Sequence, residues 1–377
     1  MKTILIIMGR YLPGYKDGGP LRSIKNLTDR LGKEYDFRIV AADRDLGDNA
    51  PYPGIFKGEW NQVGNARVYY VEPGGFTEKV ITDLSASADM VYLCGCFNDY
   101  ARTALKLKKQ GRIGCRVVVA AMGLFSPGAF HIKYPKKKAY MIILRVLGYF
   151  RNIEWSATSE EEVKDIRREA GKNSICCLAE DLPRKPEKTE HFVRTDRGSL
   201  RVIFLSRISV KKNLLFAIKV LQQVKGNIIF DIYGNLEDIL YWKKCEEELK
   251  KMPENIRWKY KGEAKAEQVL KIFSEYDVFL FPTKGENYGH VIFEAIAGGC
   301  VPIISDKTPW TKERMGNFGE VIGLENRDAL KNFGEAVQKY IEMTKEERQK
   351  EAGRGIAFAA EYHAEEAEEQ YRRMFGK

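Results

Sequence analysis

The sequence predicts an α/β fold made of two Rossmann-like halves, each a parallel sheet flanked by helices, with a cleft between them. Three observations lead there. The chain has 377 residues and is 44% hydrophobic, enough for two separately packed cores. Short apolar runs alternate with helix-period segments through both halves, as in a doubly wound parallel sheet. A charged, apolar-poor stretch carrying Pro183, Pro186 and Gly198 separates the halves.

Residues 3–8 open the first half as a buried strand. The run resembles a secretion signal only superficially, because it is short, no small-residue cleavage site follows, and turn residues come next. Residues 21–31 have helical spacing, with Leu21, Ile24, Leu27 and Leu31 on one face. Residues 36–41, 68–71, Met90–Cys94 and 116–121 are further strand-like runs. Residues 139–151 read as a helix, with Met141, Leu144, Leu147 and Gly148 on one stripe, preceded by Lys136, Lys137 and Lys138. Basic residues beside an apolar helix suit a membrane interface; an ordinary packed helix fits equally well. Residues 155–158 are a strand, and Ser159 with Glu162 is a capping-box pattern.

The second half repeats the alternation. Strands are expected at 202–205, 228–233, 256–260, Val278–Phe281 and 301–304, with helices at 214–224, 236–251 and 290–298. From residue 330 to 375 the chain is charged and mostly helical. The expected division is a first domain at 1–185, a linker at 186–199, a second domain at 200–360, and a C-terminal helix at 361–377 free to pack back on the first domain.

Composition narrows the function. The seven cysteines are odd in number, and no pair of C-x-x-C motifs exists, so reduced thiols in the cytoplasm are expected and zinc is not. The longest later apolar run, 139–150, contains Arg145 and is too short to span a bilayer. Net charge is +10, and residues 100–153 carry twelve Lys or Arg and no acid. A surface made for solubility explains that run in the simplest way. An anionic partner, such as a membrane surface or a pyrophosphate-linked lipid, explains it more specifically. Nucleic acid is not expected, since no docking motif accompanies the charge.

The strongest segment is F-L-F-P-T-K-G-E-N-Y-G-H-V-I-F-E-A-I-A-G-G-C-V-P-I-I-S, residues 279–305. Glu286 falls in a loop after a strand, and Glu294 in a helix expected to begin near Tyr288. A helix start offers unpaired amides and a positive dipole end to a diphosphate. Gly285 and Gly289 let backbone approach a ligand closely, and the carboxylates can accept hydrogen bonds from sugar hydroxyls. Upstream, S-R-I-S-V-K-K-N puts Arg207 after a strand and Lys212 five positions on. A guanidinium fork and an ammonium suit phosphate oxygens. Lys211 competes with Lys212 for that role, and spacing favours Lys212.

These segments resemble the E-x(7)-E signature and the G-R-x(4)-K-G element of glycosyltransferase family four, retaining nucleotide-sugar enzymes with the two-domain GT-B fold. Ser206 and Asn213 stand where that family usually has glycine. The resemblance implies that Arg207 and Lys212 hold the donor diphosphate and balance charge on the departing nucleotide. It implies that Glu286 holds the donor sugar and Glu294 the ribose, with amides around Asn287, Tyr288, Gly289, His290 and Val291 cradling phosphate. D-I-Y-G-N and Y-K-G-E-A are similar to family strand ends that contact the nucleoside, which brings in Gly234, Gly262 and Glu263.

At the N-terminus, Y-L-P-G-Y-K-D-G-G-P-L-R-S is similar to the family's glycine-rich loop, with Gly18 and Gly19 presenting amides to phosphate and acceptor; a plain turn is the alternative. It is neither G-x-G-x-x-G nor a P-loop. The chain departs from the family where Met122 stands in place of a His or Arg facing the reaction centre, and where Tyr92 and Cys94 replace histidines. His131 could supply the missing polar contact, although a loop histidine accounts for it more simply. Asp43-Arg44-Asp45 matches the metal-binding D-x-D of a different fold; a charged surface loop explains it better, and no metal is expected.

The resemblance implies a metal-independent retaining glycosyltransferase using a nucleotide-sugar as substrate, UDP-linked ahead of GDP-linked, with no cofactor. The acceptor expected is a glycan or a polyprenyl-diphosphate-linked glycan of cell-surface polysaccharide assembly, met at the inner face of the membrane. The rival readings are a nucleotide-sugar epimerase of the same fold and a catalytically silent donor-binding protein.

Overall fold

A computed structural model describes residues 1–126, 130, 134–185, 189–362 and 364–376. The chain divides into two compact units, Met1–Lys185 with His363–Lys377, and Pro186–Tyr362.

The first unit runs β1 (Lys2–Ile7), α1 (Gly19–Leu31), β2 (Tyr35–Ala42), β3 (Trp60–Val63), β4 (Ala66–Val71), α2 (Glu78–Ser85), β5 (Met90–Cys94), α3 (Asp99–Lys109), β6 (Arg116–Ala120), α4 (Tyr134–Val146), β7 (Glu154–Ala157), α5 (Glu160–Glu169) and β8 (Cys176–Leu178). Among the described residues its sheet has eight strands in the order β3-β4-β2-β1-β5-β6-β7-β8. Every pairing is parallel except β3 with β4, a hairpin through Gly64 and Asn65. The central strands are buried on both faces, which is why they read as continuous apolar runs. Leu5, Ile7, Val91, Leu93, Val117 and Val119 point to the face covered by α3, α4 and α5. Ile4, Ile6, Tyr92, Cys94 and Val118 point to the other, covered by α1 and the C-terminal helix.

Two expectations for this unit need correcting. Leu147, expected on the stripe with Met141 and Leu144, lies just past α4 and is 49% exposed; Met141 and Leu144 make the inner contact. The capping box at Ser159 forms only in half. Ser159 Oγ accepts from the Glu162 amide at 3.1 Å. The Glu162 carboxylate turns instead to the Thr158 amide and hydroxyl, at 2.7 and 2.8 Å, and to the Gly123 amide.

The second unit runs β9 (Ser199–Leu205), α6 (Leu214–Leu221), β10 (Asn227–Tyr233), α7 (Ile239–Leu249), β11 (Ile256–Gly262), α8 (Val269–Phe273), β12 (Val278–Phe281), α9 (His290–Ala297), β13 (Val301–Ser305), β14 (Glu320–Ile322), α10 (Ala329–Glu342) and α11 (Lys345–Glu361). Among the described residues its sheet has six strands, all parallel, in the order β11-β10-β9-β12-β13-β14. The chain before β9 is held to this unit. Buried Arg348 donates to the Thr195 hydroxyl and carbonyl and to the Ser199 carbonyl at 2.7–2.9 Å. His191 Nδ1 lies 3.1 Å from the Gly298 carbonyl. The last helix, α12 (Glu365–Gly376), returns to the first unit and buries Tyr371, Met374 and Phe375 there.

Candidate functional site

Strand order locates one site in each unit. In an open parallel sheet, a crevice forms beyond the strand ends where the winding direction reverses. In the second unit the reversal falls between β9 and β12. The segment after β9 carries Arg207, Lys211, Lys212 and Asn213; the segment after β12 carries Thr283, Glu286, Gly289 and α9. Two motifs some 80 positions apart in sequence therefore converge because their strands are neighbours.

Their contact is direct. The Lys212 ammonium bonds both Glu286 carboxylate oxygens, at 2.6 and 2.8 Å. The two side chains are 10% and 11% exposed. Thr283 Oγ1 donates to Glu286 at 2.9 Å, and the Glu286 amide donates to the Lys307 carbonyl at 3.0 Å. The ammonium also sits 5.6 Å from the centre of the Phe281 ring. Arg207 is about half exposed and pairs with Glu237 at 2.9 Å. Both candidate phosphate ligands thus already hold a carboxylate. Burial lowers the Lys211 ammonium from its ordinary value, with Glu286 pulling the other way. Lys211 is half-buried next to Lys212.

Asn213 replaces a glycine for a backbone reason. It adopts left-handed φ 64° and ψ 37° just before α6, a region that asparagine visits more readily than other side-chain-bearing residues. Its side chain then donates to the Pro282 carbonyl at 2.9 Å, stitching the two segments together. Gly234, at the end of β10, cannot carry a side chain: a Cβ there would lie 1.7 Å from the Ser206 carbonyl oxygen. Asn235 Oδ1 is buried with no hydrogen-bond partner among the described residues. Such an acceptor commonly awaits a ligand or water donor, and it ends the D-I-Y-G-N segment. Gly262 ends β11, and Glu263 just after it is exposed.

Helix α9 begins at His290, the start of the expected 290–298 helix, with Gly289 in left-handed φ 81° as its N-cap. His290 and Val291 therefore present the first helical amides, which have no partner within a helix. Glu294 lies in the second turn and is 6% exposed. Tyr288 is held by Trp310, whose indole donates to its carbonyl at 2.6 Å, and packs 4.7 Å from the His290 ring. Asn287 is half-buried between Glu286 and Tyr288.

In the first unit the reversal falls between β1 and β5. Gly18 (φ 67°) caps α1, and Gly19 opens it with Pro20 in the first turn. A Cβ at Gly19 would meet nothing within 4 Å. Asp43 and Asp45 are not a surface loop as expected; they are 0% and 3% exposed. Asp45 accepts from the Tyr15 and Lys16 amides at 2.8 and 3.2 Å, which pins the glycine-rich loop. Asp43 pairs with Arg44 and Lys57 at 2.7 and 3.3 Å. Sequence distance hid this function, since partners some thirty positions apart leave no local signal. Cys94 ends β5 buried, and Tyr92 Oη donates to Ser156 Oγ at 3.3 Å. Met122 is half-buried in a left-handed turn, φ 49°. Glu162 holds that turn through the Gly123 amide. His131 lies outside the described residues.

Residues 187–355 match the family model for glycosyl transferases group 1. The matched segment contains Arg207, Lys211, Lys212, Asn235, Glu286, α9 and Glu294, the whole constellation at the β9–β12 reversal. Comparison with curated protein sequences gives no match. Among solved structures, the chain is similar to sucrose-phosphate synthase from Thermosynechococcus elongatus, at 13% identity and TM-score 0.71, with 100% of each chain covered. It is also similar to HepE from Anabaena in complex with UDP and glucose, at 13% identity and TM-score 0.68, again with 100% of each chain covered. The catalytic domain of starch synthase IV from Arabidopsis thaliana, bound to ADP and acarbose, gives 12% identity and TM-score 0.67, covering 100% of this chain and 98% of that one. The fold is GT-B, two parallel-sheet α/β domains in one chain.

Proposed function

We propose that the chain is a retaining, metal-independent glycosyltransferase. It moves a sugar from a nucleotide-sugar, UDP-linked ahead of GDP-linked, to a glycan or polyprenyl-diphosphate-linked glycan. Cell-surface polysaccharide assembly on the cytoplasmic side of a membrane is the setting. The observation that carries the reading is the buried Lys212–Glu286 pair beside the amide end of α9, inside the glycosyl transferases group 1 segment.

The donor's diphosphate lies at the start of α9, where the positive end of the helix dipole favours negative charge. Lys212 and Arg207 turn from their carboxylates to phosphate oxygens, and Lys211 adds a third positive charge. Glu286, relieved of the ammonium, accepts from hydroxyls of the donor sugar, and Glu294 accepts from the ribose. The acceptor hydroxyl attacks the sugar's reacting carbon on the face that the diphosphate leaves. The carbon–oxygen bond to phosphate breaks, the new glycosidic bond forms, and the hydroxyl proton passes to the departing phosphate oxygen. Positioning and charge stabilisation of the leaving group are the protein's contribution. The Asp43 and Asp45 carboxylates are committed to the loop and its neighbouring cations, so charge balance at the diphosphate is assigned to Arg207, Lys211 and Lys212. Support for donor use comes from HepE and starch synthase IV, solved with UDP and with ADP respectively.

Transfer from UDP-linked sugars to a pooled set of lipid-linked acceptors tests the reading. Lys212→Ala and Glu286→Ala should each remove most turnover while the circular dichroism spectrum is kept. Wild-type turnover in both variants would refute the assignment. An epimer formed from donor alone would favour the epimerase reading, and UDP binding with no transfer the silent one.

A further inference from the structure

Helix α4 is apolar on both sides. Met141 and Leu144 face the core, 0% and 6% exposed. On the outer side Ile142, Ile143, Val146 and Leu147 are 41%, 53%, 74% and 49% exposed. A packed surface helix normally carries a single apolar stripe, with polar residues opposite. Here four of the thirteen large apolar side chains exposed among the described residues gather on one helix and the turn after it. Contiguous exposed apolar surface of this kind marks an interaction site.

Charge surrounds the stripe. Lys136, Arg145 and Arg151 are exposed along it, and Lys109 reaches over the Tyr149 ring at 5.0 Å. Neighbouring elements supply carboxylates that take other cations: Glu169 takes Lys138, Glu154 takes Arg116, and Glu78 takes Lys106 and Arg112. With no acid between residues 100 and 153, the rim of the stripe keeps an excess of positive charge. A second copy of this chain would set like charge against like charge around the stripe. An anionic bilayer offers the complement to both features, acyl chains for the stripe and phosphates for the rim.

We infer that α4 docks the first unit on an anionic lipid surface. Ile142, Ile143, Val146 and Leu147 enter the boundary between headgroups and acyl chains, while Lys136, Arg145 and Arg151 reach lipid phosphates. The helix starts at the strand-end edge of its sheet, since Tyr140 Oη donates to the Cys96 carbonyl at 2.9 Å and Lys137 sits 5.5 Å from the Phe97 ring centre, just past β5. Gly18 and Gly19 open α1 at that same edge. On the transfer reading above, the docked surface would bring a lipid-linked acceptor to the edge that uses it.

The test is sedimentation of the full chain with vesicles of phosphatidylglycerol and phosphatidylcholine, and with phosphatidylcholine alone. Binding is expected only to the anionic vesicles and should fall with salt. Lys136→Glu should weaken partitioning at least about fivefold, the worth of one basic residue at a charged surface. Ile143→Glu with Val146→Glu should abolish it, with an unchanged thermal midpoint and unchanged UDP binding. Three results would overturn the inference: no anionic-vesicle binding at low salt, binding that survives the paired glutamate substitutions, or a dimer of the wild type that those substitutions dissociate. UDP binding reports on the second unit separately, so vesicle failure with UDP binding intact overturns the docking alone.

Discussion

Asn213 does two jobs that a glycine would split. Its left-handed backbone turns the chain into α6, and its amide ties that turn to Pro282. Asn213→Ala should cost about 1–2 kcal/mol from the backbone alone, whereas Asn213→Gly should cost less; urea midpoints decide between them. Equal losses would show that the backbone conformation is not what the position selects. Most of this site was legible in the sequence, because Glu286, Lys212 and the glycines each sit at a strand end with a distinctive neighbourhood. Asp45 was read as part of a surface loop because it acts through the Tyr15 and Lys16 amides, partners that only tertiary structure brings into view.

Elements position these residues through strand order. The parallel pairing of β9 with β12 brings Lys212 to Glu286. A double-mutant cycle on this pair should show coupling of about 0.5–3 kcal/mol, as for residues in direct contact, and independence would contradict the pairing. In the first unit, Asp45 is the tether of the loop that leads into α1. Asp45→Ala leaves the Tyr15 and Lys16 amides without their acceptor, at a cost of about 1–3 kcal/mol. Hydrogen exchange should speed up in residues 14–19 ahead of the rest of the unit. The alternation of strands and helices was readable from apolar periodicity. The β3–β4 hairpin and the short strands β8 and β14 were not, because three or four residues give too little pattern to count.

At the scale of the molecule, the first unit carries a buried acid whose protonation affects stability. Burial raises the Asp181 carboxyl to about 7, partly offset by a hydrogen bond from Ser23. In the unfolded chain the same group titrates near an ordinary aspartate value of about 3.9. The stabilisation it contributes is therefore complete below about pH 4 and is lost as pH rises through 7. Asp181→Asn keeps the neutral shape. Its melting temperature should match wild type near pH 4 and exceed it at pH 8, by about 2–4 °C per kcal/mol recovered. A constant offset across that range would place the proton elsewhere. No helix among the described residues is long and apolar enough to cross a membrane.

On the proposed function, the second unit grips the diphosphate of an activated sugar through Lys212, Arg207 and the start of α9, with Glu294 on the ribose. Calorimetric titration of UDP into the full chain decides this. Wild type should bind, and Lys212→Ala and Glu294→Ala should each weaken binding about 10- to 100-fold, the loss of one charge-assisted hydrogen bond. Undiminished affinity in both variants, or no binding of UDP, GDP or ADP by the wild type, would contradict it.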